Sequence, residues 1–110
     1  MEEILMQILV NGGSARAQAI AAIRSAREGD LESAKKLLMD AQELIAAAHA
    51  VQTDLIQSEA RGERSEVSLF MVHAQDHIMN AITVKELAEE MVEEIALRLK
   101  LQEKLGVDVR

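Results

Sequence analysis

The sequence predicts an all-α protein, an antiparallel three-helix bundle that runs up, down and up. Apolar residues recur at intervals of three and four along most of the chain, which is the period of an amphipathic helix. These residues are mainly Ala, Leu, Ile, Val and Met, with one Phe and no Trp, Tyr or Pro, so aromatic strand formers and helix breakers are scarce. Short breaks divide the 110 residues into three segments, and short connections make successive helices antiparallel neighbours.

The first helix is predicted from about Glu2 to Arg27. Gly12 and Gly13 inside it should weaken or bend the helix, or let a neighbouring helix approach closely. The segment EGD ends it, because Gly29 suits a left-handed C′ position and Asp30 suits the next N-cap. Its apolar face comprises Leu5, Ile8, Leu9, Gly12, Ala15, Ala19, Ile23 and Ala26.

The second helix ends at the segment RGERS, residues 61–65, where Gly62 is the stop. Ser65 is the predicted cap of a third helix that runs from about Glu66 to Leu105. No linker or repeat indicates a second domain, so residues 1–110 should form one domain. The apolar face of the second helix comprises Ala34, Leu37, Leu38, Ala41, Leu44, Ile45, Ala48, Gln52, Leu55 and Ile56.

The third helix carries two apolar seams on different sides. The core seam comprises Phe70, Ala74, His77, Ala81, Val84, Ala88, Met91 and Ile95. The second seam comprises Leu69, Val72, Asp76, Met79 and Thr83. A three-helix monomer cannot cover both seams, so copies of the same helix around a symmetry axis should cover the second one, and we predict a homo-oligomer. Asp76 would then meet its own copies and take up protons or a hard divalent cation; on a monomer it would be a surface aspartate.

Composition argues against several classes of function. The absence of cysteine excludes disulfides, thiolate metal ligands and a cysteine nucleophile. A net charge of −7, with no basic stripe or row of stacking aromatics, argues against nucleic-acid binding. The chain shows no signal peptide and no apolar run of membrane-spanning length, so we expect a cytoplasmic protein that does not insert into a membrane.

The segment VHAQDHIMNA, residues 72–81, places polar side chains in an apolar neighbourhood. His73, Asp76, His77 and Asn80 share one flank of the third helix, because they are spaced i, i+3, i+4 and i+7. His73 falls between the two seams, and His77 belongs to the core seam. Counting residues about the two turns puts Asn11, His49 and His77 at one level, which predicts a polar layer through the bundle.

Three interpretations of these histidines remain open from the residues alone. A zinc site could use the i, i+4 histidines with His49, although Ala74 replaces the glutamate that a metalloprotease needs. An inert hydrogen-bonded layer would need no chemistry. A nucleophilic imidazole would need a ring nitrogen that is held by neighbours and reachable from a groove.

Three long segments resemble the lactose/cellobiose/chitobiose class of enzyme IIA components of the bacterial phosphoenolpyruvate-dependent sugar phosphotransferase system. They are NGGSARAQAIAAIRSAREGDLESAKKLL, AHAVQTDLIQSEARGE and EVSLFMVHAQDHIMNAITVKELAEE. The resemblance implies a homotrimer of three-helix subunits, nine helices in all. It implies that His73 is phosphorylated, that His77 lies beside it, and that Asp76 meets its copies around a divalent cation on the trimer axis, with magnesium favoured.

The resemblance also implies the partners and the activity, a phosphotransferase component that works through a phosphohistidine intermediate. The donor would be the histidine-containing phosphocarrier protein, and the acceptor a cysteine of enzyme IIB, during uptake of a disaccharide of the cellobiose/chitobiose or lactose type. We expect His77 to donate to the phosphoryl oxygens, and Met71, Ile78 and Met79 to be candidate docking residues. A regulatory or scaffolding bundle that has lost transfer is the alternative.

Overall fold

The computed structural model describes residues 1–64 and 66–107 and confirms the all-helical fold. It contains α1 (Glu2–Arg27), α2 (Leu31–Ala60) and α3 (Leu69–Leu105), and no strand within those ranges. The molecule is elongated, with extents of 62 × 20 × 19 Å. None of the described helices combines the length and apolar character that a membrane crossing requires.

Two clusters of buried residues, one near each end of the bundle, establish the direction of each helix. The first cluster comprises Leu5, Ile8, Ala48, Ala74 and Ile78. The second cluster comprises Ala22, Ala26, Ala34, Val92 and Ile95. From the first cluster to the second, residue numbers rise along α1 and α3 and fall along α2, so the helices run up, down and up as predicted.

The connection between α1 and α2 has the predicted chemistry. Gly29 adopts a φ of 90°, in the left-handed region that favours glycine. Asp30 is the N-cap of α2, and its Oδ1 accepts a hydrogen bond of 3.0 Å from the backbone N–H of Ser33. This bond satisfies one of the N–H groups that a helix start leaves without a partner.

The start of α3 differs from the prediction. The helix begins at Leu69 rather than near Glu66, and Ser68 is its N-cap, with Oγ accepting from the backbone N–H of Met71 at 3.1 Å. The predicted cap, Ser65, lies outside the described residues. Ser65 and Ser68 are three residues apart, and serine at either position can cap a helix. The sequence alone therefore does not show which of the two is the cap.

Helix α1 lies at the centre of the packing, in extensive contact with both other helices, while α2 and α3 touch each other less. Small side chains on α1 allow the close approach. A Cβ built on Gly12 would lie 3.3 Å from the backbone C and O of His77 and from the Cα of Ile78. The predicted close approach at the glycine pair is therefore confirmed at Gly12, whereas Gly13 has open space.

The core seam predicted for α3 is wrong at two positions. Ile78 and Val92 are buried, whereas His77 is half-buried and Met91 is 47% exposed. Positions 77 and 78 both lie one turn beyond Ala74, so spacing admits either of them. Isoleucine has no polar atom to desolvate, and burying it in place of histidine is the less costly arrangement.

Candidate functional site

His73 and His77 lie side by side on α3, one helical turn apart. Their ring centroids are 4.4 Å apart and the ring planes make an angle of 59°. The His73 side chain is exposed and His77 is half-buried. The His73 imidazole is thus accessible to another molecule. The His77 imidazole packs against the bundle and lies close to a group bound to the His73 ring.

The buried nitrogen of His77 indicates which tautomer this ring adopts. Its Nδ1 is inaccessible to solvent and has no hydrogen-bond partner in the described part of the chain. An orphaned buried N–H is rare in folded proteins because it carries the full desolvation penalty. We therefore infer that the neutral ring carries its proton on Nε2, which leaves an N–H available to donate.

Asp76 projects from a face of α3 that the chain does not cover. Its Oδ2 accepts a hydrogen bond of 3.2 Å from Asn80 Nδ2, and both side chains are exposed. Its apolar neighbours on the predicted second seam are Leu69, Val72 and Met79, with exposed fractions of 86%, 54% and 51%. The second seam is thus separate from the bundle core, as its spacing predicted.

The predicted polar layer of Asn11, His49 and His77 is wrong. His49 is exposed and lines a groove of about 470 Å³ between α2 and α3, beside Lys85. Counting along antiparallel helices gives the height of a residue but not the direction in which its side chain points. The zinc interpretation also fails, because no three His, Cys, Asp or Glu side chains among residues 1–64 and 66–107 come together as a metal site.

A polar contact that the sequence did not predict joins α2 to α3 near the histidines. Gln52 is buried, and its Nε2 donates to Gln75 Oε1 at 2.5 Å. The signal was present in the sequence, since Gln52 falls on the apolar face of the second helix, and a buried amide there requires a partner. Spacing alone could not identify Gln75 as that partner.

The candidate docking residues divide into three environments. Ile78 is fully buried, Met71 is half-buried and Met79 is 51% exposed. Ile78 is therefore a core residue, and its assignment to a docking surface was wrong. Among the three, Met79 has the exposure that contact with another molecule requires.

Comparison with known proteins identifies a family that covers most of the chain. Residues 3–96 match the family described as the lactose/cellobiose-specific IIA subunit of the PTS system. The chain is 50% identical over 109 residues to the lichenan-specific phosphotransferase enzyme IIA component of Bacillus subtilis, a match that spans 99% of this chain and 96% of that protein.

Solved structures share the fold. The crystal structure of the PTS cellobiose-specific enzyme IIA from Bacillus anthracis is similar with a TM-score of 0.86 and 46% sequence identity, over 92% of each chain. A IIA(chitobiose) chain in solution structures of its HPr complex, from the Escherichia coli phosphotransferase system, is similar with a TM-score of 0.76. Its identity is 38%, and the match covers 90% of this chain and 95% of that one.

Proposed function

Because the chain belongs to the lactose/cellobiose-specific IIA family of the phosphotransferase system, we propose that it carries a phosphoryl group on His73. The observation that supports this most directly is the exposed His73 ring beside the half-buried His77 ring. An acceptor must present a ring nitrogen to a protein-bound donor, and His73 is the more accessible of the two rings.

The transfer itself needs little from the protein beyond positioning. The lone pair of a neutral His73 ring nitrogen attacks phosphorus, and a new N–P bond forms. The N–P bond to the donor's imidazole breaks, and that imidazole leaves with the electron pair. The product adds about two negative charges to His73. His73 is the fifth residue of α3, so it lies just beyond the first-turn N–H groups that a helix start leaves without a partner.

Side-chain donors must therefore stabilise the phosphoryl oxygens, and His77 is well placed to be one. Its ring lies 4.4 Å from the His73 ring between centroids, and the inferred tautomer carries the proton on Nε2. A hydrogen bond to an anion is stronger than one between neutral groups. We propose that this N–H stabilises the phosphohistidine.

The proposal includes a homotrimer in which the second seam of each α3 meets its copies. The exposed fractions of Leu69, Val72 and Met79 support the trimer, because an apolar face exposed to water is unfavourable and contact with other subunits would bury it. Three Asp76 carboxylates on one axis would repel each other, and oxygen ligands suit a hard cation such as Mg²⁺. The exposed Asp76 carboxylate fits that role, and the ion would offset the repulsion.

Two protein partners and a sugar class complete the proposal. A similar IIA(chitobiose) chain has been solved with HPr, which supports the phosphocarrier protein as donor. A cysteine of an enzyme IIB component is the proposed acceptor, and the relay would act in the cytoplasm. The relatives described above are specific for lichenan, cellobiose or chitobiose. We therefore propose a disaccharide of the cellobiose/chitobiose or lactose type as the transported sugar, and these names favour the cellobiose/chitobiose type.

Mass spectrometry of the intact protein tests the proposal. Incubation with phosphoenolpyruvate, its phosphotransferase kinase and HPr should add one acid-labile phosphate per chain. A His73→Ala variant should gain none, and a His77→Ala variant should gain it more slowly and lose it faster. A wild-type protein that gains no phosphate would instead support a regulatory or scaffolding bundle.

A further inference from the structure

The second seam of α3 continues along the rest of the helix, beyond the residues that the sequence assigned to it. At about 100° per residue, five further apolar residues lie within about 60° of Asp76 around the helix. They are between 47% and 67% exposed, and they are Leu87, Met91, Leu97, Leu101 and Leu105. Together with the second seam they form what we call the extended seam. The subunit's own helices leave this face open as far as the last turn of α3.

Two opposite charges interrupt the extended seam. Glu94 follows Asp76 by 18 residues, which is five helical turns, so it lies on the same line along α3 about 27 Å further on. Arg98 follows one turn later, about 40° away around the helix. Met91 precedes the two charges on this face and Leu101 follows them. A carboxylate and a guanidinium therefore lie between two apolar stretches of one exposed face.

Neither charge has a partner in its own subunit. Glu94 and Arg98 have the i, i+4 spacing at which helices commonly pair opposite charges, yet neither side chain forms an ion pair or a hydrogen bond within residues 1–64 and 66–107. Glu94 is exposed and Arg98 is half-buried. The Nε of Arg98 is inaccessible to solvent and has no acceptor in those ranges, whereas its two terminal nitrogens are not enclosed. The bundle thus holds the stem of Arg98 and leaves the end of the guanidinium to bind a carboxylate from elsewhere.

A second copy of this chain matches the extended seam in both charge and shape. A face with one carboxylate and one guanidinium is complementary to itself, whereas an acidic partner would be repelled by Glu94 and a basic partner by Arg98. Asp76, Leu87 and Arg98 are spaced 11 residues apart, a period that keeps the face nearly straight. Copies that meet at Asp76 therefore remain in contact at Glu94.

We propose that Glu94 of each subunit pairs with Arg98 of the next, and that these pairs close a ring around the trimer axis about 27 Å from the Asp76 carboxylates. The inference rests on the proposed function, since it requires the trimer. Parallel copies lie at equal height around a rotation axis, so the two side chains need to span only one helical turn, about 6 Å. Ion pairs in such interfaces fix register and orientation more than they add stability. The ring therefore selects the parallel, in-register arrangement of the three α3 helices.

Two charge-reversed variants test the ring, with a surface ion pair as control. Glu94→Arg would gather only guanidinium groups at the axis, and Arg98→Glu only carboxylates. Each variant alone should need a subunit concentration about tenfold or more higher than the wild type to form trimers, as measured by analytical ultracentrifugation. The controls are Lys36→Glu and Asp40→Lys, because these residues form an exposed i, i+4 ion pair on α2. Both controls should assemble as the wild type does.

Mixing the two variants separates pairing between subunits from pairing within one chain. Glu94→Arg and Arg98→Glu have each lost the opposite charges within the chain, so recovery on mixing requires contact between subunits. An equal mixture should form trimers that contain both chains, detected by native mass spectrometry, and circular dichroism should show that each variant remains helical. A mixture that assembles no better than its components would overturn the proposal, and so would single variants that assemble as the wild type does.

These outcomes are distinct from failure of the proposed function. If the wild-type protein is a monomer, the proposed trimer and the ring fail together, while phosphate uptake by His73 is still measured separately. If the wild type is a trimer and both charge-reversed variants assemble equally well, only the ring of Glu94 and Arg98 is refuted.

Discussion

Adding one methyl group at each of two adjacent glycines should have different consequences for the stability of this bundle. Gly12 and Gly13 both lie inside α1, so replacing either with alanine should stabilise the helix by about 1 kcal/mol. The tertiary environments differ. A Cβ at Gly12 would meet the α3 backbone at 3.3 Å, and a Cβ at Gly13 would meet nothing within 4 Å.

The magnitude follows from which atoms the new methyl group would touch. Carbon atoms pack best at about 3.5–4.0 Å, so the Gly12→Ala methyl is a few tenths of an ångström too close to three atoms. These are the C and O of His77 and the Cα of Ile78, and backbone atoms cannot rotate away as a flexible side chain would. Overpacking of this kind costs about 1–3 kcal/mol, which offsets or exceeds the helix-propensity gain.

Thermal unfolding followed by circular dichroism, at one fixed subunit concentration, measures the difference. We expect Gly13→Ala to melt above the wild type, and Gly12→Ala to melt below Gly13→Ala by roughly 4–12 °C, equivalent to about 1–3 kcal/mol. Gly12→Ala should also slow phosphorylation, because the shift falls on the His77 backbone. Equal stabilisation by both substitutions would refute the close approach of α1 and α3 on which the position of His77 depends.

Three further predictions concern the core, the helix caps and the cation. Ile78→Ala should destabilise the protein by about 2–5 kcal/mol in urea titrations, because Ile78 is fully buried. Met91→Ala should cost under about 1 kcal/mol, because Met91 is 47% exposed. Equal losses would support the core seam that the sequence predicted. Asp30→Ala removes the N-cap of α2 and should lower the free energy of unfolding by about 1 kcal/mol. Asp40→Ala removes an exposed i,i+4 ion pair with Lys36, 3.3 Å long, and should lower it by less than about 0.5 kcal/mol. Chelation with EDTA should lower the melting temperature of the wild type but not of Asp76→Asn, and an equal shift in both would place the cation elsewhere.

Most of the fold was predictable because several helix boundaries have a local cause. The bounds of α1, Glu2–Arg27, and the end of α3 at Leu105 agree with the sequence prediction. Gly29 and Asp30 carry their signals within a few residues, in a left-handed φ and a side-chain cap. The start of α3 was not predictable to the residue, since Ser65 and Ser68 both carry a capping side chain, and the structure has Ser68 as the N-cap.

The candidate site was predictable only within one helix. The i, i+4 spacing placed His73 beside His77, and the structure has their rings 4.4 Å apart. The prediction for His49 failed because counting from the turns gives only the height of a residue, and His49 lies outside the apolar face predicted for the second helix. The Gln52–Gln75 hydrogen bond was missed because it joins residues 23 positions apart on different helices, and spacing within one helix does not identify a partner on another.

The sequence by itself determined the helices, their order, and which side chains of α3 share a flank, because hydrogen bonding and side-chain period act within a few residues. Tertiary structure decided what each flank faces. Gly12 allows α1 to approach the backbone beneath His77, Ile78 takes the core position beside it, and Gln52 reaches across from α2 to hold Gln75. These contacts depend on the rotation and spacing of whole helices, and those are set only when all three pack together.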